Sequence, residues 1–103
     1  MSKLFVATSN PTTVEQDKIF QEWLETRFVW WHWLNQTWLL VDHQGIHSAT
    51  EIRDKMTECF PQTFFVVLEL NPNATNWAGF GPNSATDATK NMFAWITKNW
   101  RLH

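Results

Sequence analysis

The chain has 103 residues, the size of one compact domain, and its composition of 44% hydrophobic and 17% charged residues excludes a disordered chain. A net charge of -2 and a pI near 6.0 exclude the basic footprint of a phosphate-binding protein. Eight Trp and eight Phe residues, with no Tyr, are available for burial. A single cysteine and the absence of a secretion signal or membrane-length apolar run predict a cytoplasmic protein with no membrane partner.

The first predicted elements are a strand and a helix. An apolar run from Lys3 to Ser9 has the length and composition of a buried strand, and an Asn-Pro pair ends it. Thr12 and Glu15 have the spacing of a capping box that starts a helix. Thr13 and Gln16 offer the same spacing one residue later. The apolar positions of this helix follow a 3.6-residue period: Ile19, Phe20, Trp23 and Leu24.

A β-hairpin is predicted next. Val29 to Leu34 is too bulky and too short for an exposed helix, Asn35-Gln36 can form a two-residue turn, and Thr37 to Asp42 returns antiparallel. Strict alternation in the second strand places on one side Trp30, His32 and Leu34, and on the other Val29, Trp31 and Trp33. In the third strand it places Trp38 and Leu40 opposite Leu39 and Val41.

A second helix and a fourth strand follow. Ser48 and Glu51 form another capping-box pair, and Pro61 ends the helix. The apolar side of this helix is Ile52, Met56, Cys59 and Phe60. The run from Thr63 to Leu70 is apolar on both sides as far as Glu69, which predicts a strand that is central or covered on both faces.

The C-terminal third predicts a loop and a helix. Asn71-Pro72-Asn73 predicts a turn, and Thr75 to Gly81 is a short fifth strand or an ordered loop. We expect the loop from Asn71 to Asn83 to lie against a dimer surface, with Trp77 and Phe80 as its anchors. A last helix begins near Ser84, and its apolar side is Ala88, Met92, Trp95 or Ile96, and Trp100.

The order strand, helix, strand, strand, helix, strand predicts an α+β protein over residues 1–103: a ferredoxin-like βαββαβ antiparallel sheet with a C-terminal extension. Both helices then cover one face of the sheet, although the strands are apolar on both faces. Either the C-terminal helix or a second copy of the chain can cover the second face. Because one helix is too small to hide a whole sheet, we expect a homodimer.

Two segments carry a family resemblance. The runs WWHWLNQTWLL over 30–40 and SATEIRD over 48–54 resemble the small SinR-like proteins of bacteria and their phages. Those proteins resemble the CRISPR-associated "Cas-two" adaptation subunit and virulence-associated protein D. The resemblance extends less closely through 76–80 and the final helix, and it covers most of the chain. It implies a ferredoxin-like homodimer of bacterial or phage origin, linked to defence or toxin–antitoxin systems.

The resemblance also bears on metal chemistry. In nuclease members of the wider group, an Asp at the end of the first strand of each subunit is proposed to hold a divalent metal at the dimer axis. Here that strand ends Ala7-Thr8-Ser9-Asn10, and the nearest carboxylate, Asp17, lies inside the first helix. Hard metal ions need carboxylate ligands, so we expect no metal and no other cofactor.

Few residues are candidates for chemistry. His32 is predicted to be a buried, hydrogen-bonded histidine, because no carboxylate or nucleophile is near it in sequence. Asp42, His43 and His47 include metal-ligand types, but they surround a loop glycine and do not share a helix face. Cys59 lies on an apolar stripe and is predicted to be a core residue.

The tryptophans can pack a core or dimer interface, or stack nucleobases. No basic residue occurs between Phe28 and Asp42, which favours packing over nucleic-acid binding. Arg53 beside Asp54 is predicted to be a solvated or intersubunit ion pair, and the 71–83 loop can also gate a small-ligand cleft. The candidate partner- or ligand-binding residues are Trp31, His32, Trp33, Trp38, Arg53 and Trp77.

The sequence thus favours a non-catalytic, homodimeric binding or regulatory module, with a protein partner as a further expectation. One alternative is a diverged metal-dependent nuclease that uses Asp42, His43 or His47 in place of the lost first-strand Asp. Another is a protein that binds a small ligand or nucleotide at an aromatic cleft.

Overall fold

The computed structural model describes residues 2–71, which form an α+β sandwich of one sheet and two helices. The elements are β1 (Lys3–Ser9), α1 (Val14–Glu25), β2 (Val29–Leu34), β3 (Thr37–Asp42), α2 (Ala49–Cys59) and β4 (Phe65–Leu70). The sheet has the strand order β2-β3-β1-β4, and every neighbouring pair is antiparallel. The predicted element order is therefore confirmed over these residues, and the arrangement is compatible with a ferredoxin-like fold. The predicted 72–83 loop or strand and the last helix lie outside the described residues.

Helix α1 begins at the second of the two predicted capping boxes. The Thr13 hydroxyl accepts the backbone N–H of Gln16 at 3.1 Å, and the Gln16 side chain accepts the N–H of Thr13 at 2.9 Å. The prediction that Thr12 caps the helix was wrong, because its hydroxyl donates to the Asp17 carboxylate instead. The hydrogen bond from Thr12 holds the Asp17 carboxylate near the N-terminus of α1, at the end of the sheet.

Helix α2 keeps only half of its predicted capping box. The Ser48 hydroxyl accepts the N–H of Glu51 at 3.1 Å, which satisfies one of the free donors at the helix start. The Glu51 carboxylate turns instead to the His47 ring, 2.8 Å from Nδ1. The helix ends at Cys59, just before Pro61, and Gln62 takes a left-handed φ of 66° in the turn that leads to β4.

The main core lies between both helices and one sheet face, as predicted. Its centre is aromatic: Phe20 of α1 meets Trp38 and Phe60 edge-on, with ring centroids 5.1 and 5.4 Å apart. Around these rings pack further residues that are fully or nearly fully buried: Phe5, Ala7, Leu24, Phe28, Leu40, Ile52, Met56 and Cys59.

The opposite face, here called the open face, carries neither helix. The strand registers arrange its side chains in three rows across the sheet: Val29–Val41–Leu4–Leu70, Trp31–Leu39–Val6–Leu68 and Leu34–Thr37–Thr8–Val66. The two polar residues of these rows, Thr8 and Thr37, bond to each other through their hydroxyls at 3.3 Å. The open face therefore presents an apolar surface whose two hydroxyl groups are already paired.

One predicted orientation in β2 was wrong. The register pairs Trp31 with Leu39 but Leu34 with Thr37, so one extra residue is accommodated in β2 between Trp31 and Leu34. This irregularity moves Leu34 to the open face, away from the side of Trp30 and His32. In β3 the predicted alternation is confirmed, since Trp38 and Leu40 belong to the main core.

The predicted position of β4 was also wrong. Strand β4 is an edge of the sheet, paired only with β1 among the described residues. Phe65 and Val67 pack against the main core, whereas Val66 and Leu68 are 48% and 51% exposed on the other side. A strand with apolar residues on both sides suggested a central position, and here the second side lies at the edge of the open face.

Candidate functional site

Exposure is uneven across the open face. At one end Leu4 and Val41 are fully buried and Trp31 is 4% exposed. We call these three residues the buried end. Leu34 and Val66 of the opposite end row are each about half exposed, and so is Leu68, which stands across the sheet from Trp31 at the β4 edge. Phe64, which precedes β4, is 81% exposed. We call these four residues the exposed end.

Phe64 extends the edge stripe of β4. It precedes the strand, and its carbonyl accepts the N–H of Asn10 at 2.9 Å, which continues the β1–β4 ladder by one step. Phe65 points into the main core, so Phe64 points away from it. Phe64, Val66 and Leu68 thus form an i, i+2, i+4 row of apolar side chains on an edge strand.

The exposed end is large enough to be functional. A large aromatic side chain can bury about 150–250 Å², so its four side chains expose on the order of 400 Å² of apolar surface. Patches of roughly 300–600 Å² are the largest that monomeric proteins usually expose, and they often mark interaction sites. The rows of the open face contain no charged side chain, so an apolar partner surface can cover it without burying a charge.

A second cluster lies at the end of the sheet where α1 begins. The His32 ring stacks on the Trp38 indole, with centroids 3.5 Å apart and planes 4° from parallel. His32 Nδ1 lies 2.9 Å from the Thr37 carbonyl, which can only accept, so Nδ1 carries a proton. His32 Nε2 lies 3.6 Å from a carboxylate oxygen of Asp17. The sequence singled out His32 and Trp38, but the pairing of His32 with Asp17 was found only in the structure, because the two residues are distant in sequence.

This cluster lacks the arrangement of a nucleophilic triad. In such a triad the imidazole takes the proton of the nucleophile, and a carboxylate orients the imidazole from the other side. Here the Thr12 hydroxyl donates to Asp17 and does not touch His32. The geometry fits a fixed, stacked histidine that supports the turn between β2 and β3.

Of the candidate metal ligands at the end of β3 and in the loop that follows, Asp42 is hydrogen-bonded to backbone N–H groups. Asp42 is 1% exposed, and one carboxylate oxygen accepts the N–H groups of Gln44 and Gly45 at 3.1 and 3.0 Å. The other accepts the N–H of His47 at 2.7 Å. The His47 ring is paired with Glu51, while His43 is exposed. Within residues 2–71, no group of three or more His, Cys, Asp or Glu side chains is placed to hold a metal ion.

The predicted partner-binding residues do not converge on one site. Trp31 belongs to the buried end of the open face, Trp38 lies in the main core, and Arg53 is an exposed α2 residue bonded to Asp54 at 2.8 Å. Trp33 is 47% exposed on β2. A shallow groove of about 590 Å³ follows that strand and is lined by residues 30–33. Trp77 lies outside the described residues.

Cys59 is buried on the core side of α2. Burial raises the pKa of its thiol above the ordinary value of 9.0, and the nearby Glu58 carboxylate adds to this effect. The Lys55 ammonium acts in the opposite direction and does not cancel it. A nucleophilic cysteine needs a lowered pKa, so this environment is that of a packing residue.

No protein-family model matches the chain, and the searches of curated proteins and of solved structures found no significant match. The resemblance to SinR-like proteins therefore stays a prediction. In the described part of the chain, no helix has the length and apolar character needed to cross a membrane.

Proposed function

We propose that the chain is a non-catalytic binding module of ferredoxin-like fold that works as a homodimer, with its two copies meeting through the exposed end of the open face. One observation carries the proposal. Leu34, Val66 and Leu68 are about half exposed, and Phe64 is 81% exposed, on a face with no charged residue in its rows. Covering such a surface with another apolar surface is favourable, because it removes apolar area from water.

A second copy is the occupant that fits this surface best. A two-fold axis brings the same patch of both copies together, so an apolar patch meets an apolar patch. The stripe of Phe64, Val66 and Leu68 lies on an edge strand, where the sheet does not obstruct the approach of another chain.

The available area supports a moderate interface. Specific dimers bury at least about 600 Å² on each copy. The exposed end supplies on the order of 400 Å² of this. The half-buried side chains of the middle row, Val6 and Leu39, adjoin the exposed end and add to the surface that a partner can cover.

The SinR-like resemblance adds a biological setting to this proposal. From the resemblance we propose a dimer of bacterial or phage origin that is linked to defence or toxin–antitoxin systems and acts by binding a protein partner. The chemistry of the described residues agrees with a binding role. Asp42 is engaged by three backbone N–H groups, and the raised pKa of Cys59 keeps the thiol protonated.

Two substitutions matched in exposure test the proposal. Leu68 on the open face is 51% exposed. The prediction that Ile19 lies on the packed side of α1 was wrong, because its side chain is 54% exposed. Glutamate therefore adds the same charge at equally accessible positions. Burying the exposed half of one Leu contributes about 1 kcal/mol per copy. Leu68→Glu should therefore weaken the dimer by at least about 30-fold, because both copies lose the contact.

The dimer dissociation constant is measured by sedimentation velocity over a concentration series. Ile19→Glu should leave it unchanged within about twofold. If Leu68→Glu and Ile19→Glu give the same dissociation constant as the parent, the copies do not meet at the exposed end. Leu68→Thr, which keeps a strand-forming residue and adds no charge, should give an intermediate value.

A further inference from the structure

The two edges of the sheet differ in their regularity. Strand β2, at one edge, carries the irregularity between Trp31 and Leu34, and such breaks in the pleat hinder the addition of another strand. Strand β4, at the other edge, keeps a regular register with β1 along its whole length and contains no proline. Within the described residues, β4 is therefore the edge that is better shaped to accept another strand.

The backbone of β4 has free hydrogen-bonding groups on its outer side. The Asn10 N–H donates to the Phe64 carbonyl, so these two residues are a hydrogen-bonded pair of the antiparallel β1–β4 ladder. Hydrogen-bonded pairs alternate along such a ladder, so the backbone groups of Phe65, Val67 and Glu69 point away from β1. Nothing in residues 2–71 bonds to these outward groups. They form a row of donors and acceptors that can pair with another strand.

A second copy of β4 matches this row in one register. With a two-fold axis at Val67, all three residues with outward groups are paired, because Val67 faces the partner's Val67 and Phe65 faces the partner's Glu69. Moving the axis by one residue along β4 places one of the three opposite a residue outside the strand. Moving it to Glu69 places two carboxylates opposite each other, which is unfavourable.

This register brings apolar side chains together on the open face. Val66 stands opposite the partner's Leu68, and Phe64 stands opposite the partner's Leu70, so the exposed stripes of the two copies contact each other. The exposed end offers on the order of 400 Å² of the roughly 600 Å² per copy that a specific dimer needs. Edge pairing also buries the outer side of the β4 backbone, which adds to this area.

The register also brings opposite charges together on the helix side. A groove of about 280 Å³ between α2 and β4 is lined in part by Arg53, Phe65 and Val67. The partner's Glu69 faces Phe65, so its carboxylate comes within reach of the Arg53 guanidinium. Arg53 bonds to Asp54 through Nε and Nη2, which leaves Nη1 for a second carboxylate. Glu69 is exposed and forms no ion pair within residues 2–71.

We propose that two copies join their sheets edge to edge, with β4 antiparallel to the partner's β4 about an axis at Val67 and Arg53 paired with the partner's Glu69. Two four-stranded sheets then form one continuous sheet. The inference rests on the proposed homodimer and specifies how its copies meet. It engages three of the four residues of the exposed end, since Leu34 stands on β2 at the opposite edge.

Single cysteines test the register. In a Cys59→Ala background, which removes the only native thiol, Val67→Cys should form a disulfide-linked dimer on mild oxidation. The Cα atoms of a hydrogen-bonded antiparallel pair lie about 5.5 Å apart, within the range of a disulfide. Val66→Cys and Leu68→Cys are the matched controls. Each stands diagonally from its equivalent in the partner, about 8 Å away, and should not cross-link.

The failure of this inference is distinguishable from the failure of the homodimer. Cross-linking through Val66→Cys or Leu68→Cys in place of Val67→Cys would mean that the open faces meet, which overturns edge pairing and leaves the homodimer standing. A dimer that cross-links at none of the three positions would mean that another segment occupies the β4 edge, which also overturns edge pairing. A parent chain that is monomeric would overturn both proposals.

Charge substitutions give a second readout by sedimentation velocity. Leu34→Glu should leave the dimer dissociation constant unchanged within about twofold, because Leu34 lies three strand spacings of about 4.8 Å from β4. Glu69→Arg should raise the constant by about threefold or more, because two ion pairs become repulsive, and the further change Arg53→Glu should restore it. If Leu34→Glu weakens the dimer as much as Leu68→Glu, or if Arg53→Glu does not rescue Glu69→Arg, the copies do not meet in this register.

Discussion

Replacing Asp42, the last residue of β3, by alanine should destabilise the protein strongly. Its carboxylate is 1% exposed and accepts three backbone N–H groups, from Gln44, Gly45 and His47. The side chain therefore closes the turn after β3 and fixes the start of α2. Alanine removes the acceptor and leaves the three donors in place.

The size of the effect follows from these contacts. A hydrogen bond to a charged group contributes about 1.5–3 kcal/mol, and a buried donor left without a partner costs about 1–3 kcal/mol. Gln44 is exposed and Gly45 is half-buried, so water can replace part of what their N–H groups lose. We therefore expect a loss of about 3 kcal/mol for Asp42→Ala, a large share of the roughly 5–15 kcal/mol stability of a domain.

Urea unfolding followed by circular dichroism measures this loss. With a slope of roughly 1–3 kcal/mol per molar urea, the midpoint should fall by about 1–3 M. Asp42→Asn should lose less, because its carbonyl oxygen can still accept the N–H of Gln44 or Gly45. His43→Ala, at the exposed neighbouring position, is the control and should stay within about 0.5 kcal/mol of the parent.

A result for Asp42→Ala within about 0.5 kcal/mol of the parent would refute this reasoning. The three hydrogen bonds would then contribute nothing to the fold. Such a result would also favour the alternative interpretation, in which Asp42 binds a metal ion or takes part in catalysis.

Three further predictions concern other parts of the chain. Thr13→Ala should cost about 1 kcal/mol in urea unfolding by removing the cap of α1, and Thr13→Ser should restore most of it. Because folding raises the pKa of the Cys59 thiol, the native state holds this proton more tightly. The Cys59 contribution to stability should therefore be fully present below the ordinary pKa of 9.0 and decline above it, a decline that Cys59→Ala should remove. Purified protein should not cleave single- or double-stranded RNA or DNA with Mg²⁺ or Mn²⁺, and cleavage that disappears in Asp17→Asn would instead assign a catalytic role to the Asp17–His32 pair.

Much of the fold was predictable because each element carries a local signal. The apolar run of β1, the aromatic hairpin and the Ser48 cap of α2 each follow from nearby residues. The choice between Thr12 and Thr13 as the cap of α1 did not, because both have the right spacing. The structure decides it through Asp17, which takes the Thr12 hydroxyl.

The parts that could not be predicted depend on long-range or non-periodic geometry. Asp17 and His32 belong to different elements, and only the packing of α1 beside β2 brings them to 3.6 Å. The irregularity in β2 that moves Leu34 to the open face breaks the two-residue period on which the prediction relied. The edge position of β4 was missed because the strand is apolar on both sides, a pattern typical of a central strand.

The signal for the exposed end was nevertheless in the sequence. Strands with large apolar residues on both sides indicated that the second sheet face needs a cover, and the candidates were the C-terminal helix and a second copy. The structure shows that the two ends of this face differ, with Leu4 fully buried and Leu68 half exposed.

Static light scattering of the eluting full chain tests the central claim most directly. At tens of micromolar protein the account predicts a mass near twice that of the 12.2 kDa chain. The mass should fall toward that of one chain on dilution and in Leu68→Glu, while Ile19→Glu keeps the dimer mass. A parent chain that elutes at 12.2 kDa across the whole concentration range would contradict the account.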